Sequence, residues 1–320
     1  MNGMETRIRI GISSCLTGEK VRYDGGHARD PFLMDTLGKF VDFVPVCPEA
    51  ECGLGIPREA MRLVGDAANP RLITIHTRID LTGRMGEWAA RRVRELENEQ
   101  LCGFVFKSRS PSSGMERVKV YREDGKGSPQ HKGVGLFARA FMDHFPLLPV
   151  EDEGRLHDPA LRENFITRIF VLKRWRETAA AESLGALVEF HTRHKLLLLA
   201  HNERIYRQLG QLVARGKELK ATELLAEYER LMLMALACMS TVKKNVNVLM
   251  HMAGYFKKVL GKEEKQELLE LIDQYSKEYL PLIVPVTLLN HYVRKYGEKY
   301  LAGQYYLSPH PIELALRNHV

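Results

Sequence analysis

The chain is poor in cysteine, and its cysteines carry no pairing signature. Five are spread along 320 residues, at positions 15, 47, 52, 102 and 238, and none forms a C-x-x-C pair. An odd, dispersed set argues against a disulfide framework. No apolar run is long enough to span a bilayer; the longest, Leu231 to Val242, suits a buried helix. Met1 to Arg9 hold no apolar segment of the kind found in a secretory signal. There is no internal repeat, no low-complexity tract and no basic tail. These absences exclude a disulfide-stapled scaffold, a membrane span and a repeat array, and they point to a reducing, cytoplasmic setting. There, a cysteine is a metal ligand, a catalytic group or core filler.

What is present is ordinary globular material, 45% hydrophobic and 27% charged. The length suggests two domains. A net charge of +7 and a pI near 9.1 are mildly basic and suit a polyanionic partner such as nucleic acid. Residues 7–150 alternate strand and helix patterns. Strands are expected at Arg7 to Ile12, Asp42 to Val46, Arg71 to Ile75, Gly103 to Phe106 and Leu147 to Val150. Helices are expected at Pro31 to Val41 (with Asp30 as cap), Thr82 to Gln100 and Val134 to His144. This alternation predicts an α/β N-terminal domain, Rossmann-like with a mostly parallel sheet, over residues 1–150. From Arg155 on, only 3.6-residue periodicity is seen, which predicts an all-α C-terminal helical bundle over 155–320. Glu151 to Gly154, acidic and glycine-ended, reads as the linker.

Ligands of parallel α/β sheets sit at the carboxyl ends of the strands. Cys15 follows the first strand, Cys47 the second, and Ser110 to Ser113 follow the strand ending at Phe106. If the strands are parallel, all three lie on one sheet edge. Cysteine thiolates there suit an iron–sulfur cluster. The plainer readings stay open: buried cysteines as small hydrophobes, Ser-Pro-Ser-Ser-Gly as a turn, Glu49 as a carboxylate capping the turn after Pro48. Arg22, Tyr23 and Asp24 suit either a phosphate-and-base contact or a surface ion pair in a tight turn.

The stretches Ser13-Ser14-Cys15-Leu16-Thr17-Gly18, Val21-Arg22-Tyr23-Asp24-Gly25, Cys47-Pro48-Glu49 with Pro57-Arg58, and Ser110-Pro111-Ser112-Ser113-Gly114 resemble the thiouracil desulfidase family. Phe190 to Lys195, Ala200-His201-Asn202, Tyr206 to Gly210, Gly254 to Lys258 and Leu280 to Pro285 resemble the helical domain fused to it in the tRNA 4-thiouridine desulfidases. The resemblance implies a [4Fe-4S] cluster held by three cysteines, whose open iron binds the thiocarbonyl sulfur. Carried over by motif, Cys15 and Cys47 are ligands, and Ser113 stands where the third cysteine belongs. Glu49 and Ser110 match the catalytic positions. Arg22, Tyr23, Asp24, Arg58 and Lys107 are candidates for substrate contact. A serine hydroxyl is a hard, high-pKa donor and a poor replacement for a thiolate. Cys52 is a weaker stand-in.

In the helical half, His191, His194 and His201 fall near one face of a helix with Lys195 and Arg204 beside them. That face reads as meeting RNA or the neighbouring domain. Lys243, Lys244, Lys257 and Lys258, with Tyr255 and Phe256 between, make a second basic run. Arg294 and Lys295, with Tyr296, make a third. Basic residues with interleaved aromatics fit phosphate attraction and base stacking. The expected function is desulfidation of 4-thiouridine in tRNA to uridine, with Glu49 and Ser110 moving protons and no membrane involved. The alternatives are desulfidation of free thiopyrimidines and, because of Ser113, a non-catalytic RNA-binding or cluster-sensing protein.

Overall fold

The computed structural model describes residues 7–124 and 126–319. The chain divides into two compact units, one ending at His157 and the other starting at Asp158. In chain order the first unit contains β1 (Ile8–Ser13), β2 (Val41–Val46), α1 (Pro48–Glu51), β3 (Met61–Val64), β4 (Arg71–Thr74), α2 (Thr82–Glu97), β5 (Gly103–Phe106), β6 (Val118–Tyr121), β7 (Gln130–Gly133), α3 (Leu136–His144) and β8 (Val150–Asp152).

One sheet has the order β2-β1-β5-β8 and is parallel throughout. Its two inner strands, β1 and β5, are buried on both faces except at Arg9, as strands covered on both sides require. The chain steps from β1 to β2 on one side and then crosses to β5 on the other. The strand order therefore reverses at β1, and the crevice for a ligand lies there. Behind the sheet edge Phe104, Phe106, Phe137 and Phe141 pack with Trp88, the Phe104 and Phe106 rings stacked at 4.4 Å. Gly11 is required beside them: a Cβ there would lie 2.2 Å from the Phe104 ring.

Three expectations are corrected in this unit. Arg71–Thr74 is a strand, but of a second sheet, ordered β4-β3-β6-β7, in which it pairs antiparallel with β3. The partners β3, β6 and β7 were not legible, because these four-residue strands are studded with charge and half exposed. The segment expected as an α-helix from Pro31 winds instead as a wide turn, Phe32–Thr36, then a tight one, Leu37–Lys39. Apolar spacing fixed the buried face (Leu33 and Leu37) but not the pitch, and Asp30 does accept the Leu33 N–H at 2.9 Å. Finally, Glu151 to Gly154 is no linker. Glu151 and Asp152 belong to β8, buried and paired with Val105 and Phe106. Arg155 makes this possible: its Nε meets Glu151 Oε1 at 2.5 Å and its N–H meets Asp152 Oδ1 at 2.8 Å.

The second unit is helical: α4 (Pro159–Ala179), α5 (Leu184–His201), α6 (Glu203–Ala214), α7 (Ala221–Ala237), α8 (Val242–Tyr255), α9 (Lys262–Ser276), α10 (Ile283–Tyr296) and α11 (Lys299–Ala302). Asp158, Ser183, Asn202 and Thr241 cap α4, α5, α6 and α8 through their side-chain oxygens. Among the described residues no helix is long and apolar enough to cross a membrane.

Here the histidines are corrected. His194 and His201, expected on an RNA-facing surface, are buried at 1% and 4% exposure, and His191 is buried with them. The face of α5 that carries these histidines is enclosed by neighbouring helices, while its Glu189 and Arg193 stay exposed. His194 stacks on Phe190 at 3.8 Å and accepts from Arg174 Nε at 3.1 Å. His201 Nδ1 meets the Cys238 carbonyl at 2.7 Å, and His191 Nδ1 meets Tyr228 Oη at 3.0 Å. Burial holds His191 and His201 down at about 4 and depresses His194 as well.

Unfolded histidine titrates near 6.5. Below that the unfolded chain binds protons that these rings refuse, so their contribution to stability is complete above about pH 6.5 and is lost as pH falls toward 4. In a Trp88→Phe chain, Trp175 alone reports on the helical unit. Its denaturation midpoint is expected to be lower at about pH 5 than at about pH 7.5; equal midpoints would contradict neutral, buried histidines.

Candidate active site

Three strand ends supply the site. After β1 the chain makes one tight turn, Ser14–Thr17, which carries Cys15 and closes on Gly18 at φ +103°. After β2, Cys47 stands just before α1, with Pro48 at its first position. After β5, residues 107–114 fold back as a serine-rich loop. The Lys107 N–H donates to Ser13 Oγ at 2.9 Å and stitches the ends of β1 and β5 together.

A cavity of about 680 Å³ opens between these ends, lined by Cys15, Cys47, Glu49, Ser110 and Ser113. Arg22, Tyr23, Arg58 and Lys107 also line it. Asp24 does not: its carboxylate accepts the Gly26 N–H at 3.0 Å and lies 3.7 Å from Arg22, so it shapes the turn and is corrected as a substrate contact. Lys107 Nζ is taken up by Glu153 and by Ser108 Oγ. Arg58 Nη2 lies 3.7 Å from Glu49 Oε2, both side chains largely buried.

Glu49 is held on both oxygens. Ser112 Oγ donates to Oε1 at 2.5 Å, and Cys47 Sγ lies 3.6 Å from Oε2. Ser112 escaped the sequence reading. It is fully buried behind the cavity wall, and its Oγ also lies 2.9 Å from Ser110 Oγ. Ser110, Ser112 and Glu49 therefore form one hydrogen-bonded chain whose two ends face the cavity. The signal was present in the serine spacing. Ser110 Oγ accepts the N–H groups of Ser112 at 3.3 Å and Ser113 at 3.1 Å, an ST-turn that aims the next serine inward. Gly135 lets the loop seat, since a Cβ there would lie 2.5 Å from the Ser112 carbonyl carbon.

Burial pushes the Cys15 thiol up to about 11, with Lys107 opposing and Glu49 reinforcing. Burial, then Glu49, pushes the Cys47 thiol up to about 12. Both are thiols near neutral pH and weak nucleophiles; a bound cation is what would convert them to thiolates. Cys52 is no stand-in for a third donor. It does not line the cavity, its Sγ meets the Glu49 carbonyl at 3.4 Å, and it packs on the hydrophobic core. Cys102 is buried at the start of β5, and Cys238 ends α7. The third side chain in the cavity is Ser113, 3% exposed. Iron–sulfur clusters are held by thiolates. Two thiols and a hydroxyl do not fit a three-cysteine cluster.

A parallel sheet whose strand ends gather cysteines, a carboxylate and a serine loop defines the class of protein. Residues 10–153 match the family model of the 2-thiouracil desulfurases, and residues 195–311 match one described as a protein of unknown function, DUF1722. Residues 10–153 therefore form a 2-thiouracil desulfurase family domain. It is similar to "Uncharacterized protein YbgA" of Escherichia coli K12, 34% identical over 135 residues, which are 42% of this chain and 80% of that protein. It is similar to "Uncharacterized protein YbbK" of Bacillus subtilis 168, 31% identical over 111 residues, 32% of this chain and 71% of that one. Among solved structures, the [4Fe-4S]-dependent thiouracil desulfidase TudS is 25% identical, with a TM-score of 0.41, across 50% of this chain and all of that one.

Replacing the hydroxyl with a thiol is expected to complete the donor set. After anaerobic reconstitution, Ser113→Cys should carry more iron and acid-labile sulfide per chain than the protein with Ser113, and a further Cys15→Ser change should lower both. Equal iron in the first two proteins would show that position 113 does not hold the cluster.

Proposed function

We propose that the chain is built for desulfidation of 4-thiouridine in tRNA, with the first unit doing the chemistry and the helical unit holding RNA. The observation that carries the reading is the meeting of Glu49, Ser110, Cys15 and Cys47 in one cavity at the point where strand order reverses. The net reaction exchanges a thiocarbonyl for a carbonyl, consuming water and releasing hydrogen sulfide, with no change in electron count. A [4Fe-4S] cluster, when bound, supplies a soft Lewis acid for sulfur. With Ser113 the donor set is one thiolate short, so cluster loading is the weak point of this chain.

The residues present account for the proton steps. Glu49 is a general acid–base group. Ser112 fixes one of its oxygens and leaves the other on the side of Cys47 and Arg58. Ser110, at the far end of the hydroxyl chain, can pass a proton through Ser112 to Glu49 or orient a water. Tyr23 is 45% exposed, with the Arg22 guanidinium 5.7 Å from its ring centroid, a pairing suited to stacking a pyrimidine.

For RNA the basic runs sort into two groups. Arg204, Lys243, Lys257, Lys258 and Arg294 are exposed and suit phosphate binding. Tyr255 is exposed and stacks on Tyr300 at 5.2 Å, and Lys195 Nζ lies 4.8 Å over the Tyr300 ring. One expected RNA ligand is corrected. Lys244 Nζ donates to the carbonyls of His201 at 2.7 Å and Met239 at 2.8 Å, capping α5 and its neighbouring loop. Lys295 is exposed and pairs at the surface with Glu264 at 2.7 Å, a contact that a phosphate can displace. A second reading, RNA binding without turnover, is favoured by Ser113 alone.

In the Ser113→Cys chain with reconstituted cluster, loss of 4-thiouridine absorbance from tRNA is expected, and Glu49→Gln should slow it by about 10²- to 10⁴-fold. Activity on free 4-thiouracil but not on tRNA would replace the RNA reading, and tRNA binding without turnover in both proteins would establish the second one. Tyr255→Ala with Lys257→Ala and Lys258→Ala should weaken tRNA binding and flatten its dependence on salt, the slope changing by about 0.7–0.9 for each phosphate that is no longer neutralised.

A further inference from the structure

The second sheet of the first unit turns one face to the core and one to water. Leu63, Leu72, Val118 and Val120 pack inward. Strand alternation therefore turns Arg62, Lys119 and Tyr121 outward. Leu63 pairs with Val120, so Arg62 comes level with Lys119, and Lys119 pairs in turn with His131. Arg62, Lys119 and His131 thus make a row across three strands. Lys119 and His131 are exposed, and Arg62 and Tyr121 are half-buried.

The charge on this sheet has one sign. Its four strands contain Arg62, Arg71, Lys119 and Lys132 and no acidic residue. At the β4 edge Arg71 is neutralised by Asp80 at 3.2 Å and Glu123 at 2.9 Å. Further in, the charge stays open. Among the described residues Arg62, Lys119 and His131 have no ion-pair partner, and the Arg62 guanidinium lies instead over the Tyr121 ring, 5.1 Å from its centroid. A guanidinium held by a ring keeps its charge for a phosphate and offers a plane to a base. Charge on the outermost strand β7 serves to keep other chains from pairing with it. β3 and β6 have partners on both sides and need no such protection.

This face begins at the cavity. β3 and β6 run parallel, and the residues at their leading ends, Ala60 and Met61 for one and Glu116 and Arg117 for the other, line the cavity wall. Arg117, 80% exposed, stands at the opening, and Lys119 and Tyr121 follow along β6 about 7 Å apart. We infer that this face is a track for RNA, which holds the single-stranded nucleotides next to the one in the cavity by phosphate attraction and stacking. The inference rests on the RNA reading of the cavity, and adds that the first unit grips RNA itself.

The test uses the full chain and tRNA carrying 4-thiouridine, and needs no cluster. Ultraviolet irradiation of the complex is expected to give nucleotide-linked peptides that contain Tyr121 or His131. Oligouridylate should suppress these crosslinks, and polyglutamate of equal charge should not. Arg62→Gln with Lys119→Gln should weaken tRNA binding by about tenfold and lower its salt slope by about 0.7 for each phosphate no longer neutralised. The charge-matched change Lys217→Gln with Lys220→Gln, at exposed positions of the helical unit, should move affinity by less than about twofold. Should the first double variant misfold, the crosslinks and their competition in the parent chain decide. If tRNA binds but crosslinks only elsewhere, if the two double variants bind alike, or if polyglutamate competes as well as oligouridylate, the track is overturned while the RNA reading of the cavity stands. If the parent chain binds no tRNA, both fall.

Discussion

Parallel pairing of β1, with β2 on one side and β5 on the other, is the constraint on which the first unit depends. The pairing register sets Ser13 beside Val46 and Ile12 beside Val105, so the strands end almost level. Residues 15, 47 and 110 are far apart in sequence, and level strand ends bring their loops to one opening. The pairing in turn depends on Gly11, the one residue type that leaves room for the Phe104 ring against the sheet. A methyl group at that position would push on the aromatic core and on the strand that carries the serine loop.

Within the opening, chemistry is divided between groups that face the cavity and groups that hold them. Glu49, Ser110 and the two thiols face it. Ser112 stands behind and couples a hydroxyl to a carboxylate that come from different loops. The thiols are costly to ionise where they sit, because burial acts before any neighbour does. A site of this kind does little as a bare protein and depends on what its thiols bind. That is why one oxygen atom at position 113 bears on so much of its behaviour.

The sequence was informative where a side chain's identity and its burial point the same way. β1, β2, β5 and α2 have strong apolar patterns and were legible nearly to the residue, as was the gathering of Cys15, Cys47 and Glu49. It was less informative where burial is compensated by a partner distant in sequence. The acids of β8 look like linker until Arg155 neutralises them. His194 and His201 look like surface until Arg174 and the Cys238 carbonyl satisfy their rings. Lys244 looks like a phosphate ligand until its ammonium is found closing the end of α5. Ser112 looks like turn filler because its partner, Glu49, lies 63 positions earlier. The second sheet was missed for a different reason: four-residue strands with one face in water carry too short a pattern to separate from loop.

The burial of Glu151 and Asp152 bears on how the molecule can be divided. By composition, the natural place to cut is before the acidic stretch, at Val150. A fragment ending there would remove the outer strand from β5, whose side chains are wholly buried. An apolar strand with unpaired N–H and C=O groups along one edge recruits other chains. Such a fragment would be expected to aggregate even if every residue of the cavity's thiol side were intact. The first unit is closed by Arg155, which ties the acids of its last strand to Glu116 and lines the cavity itself. Where the domain ends is therefore decided by a guanidinium rather than by a flexible joint.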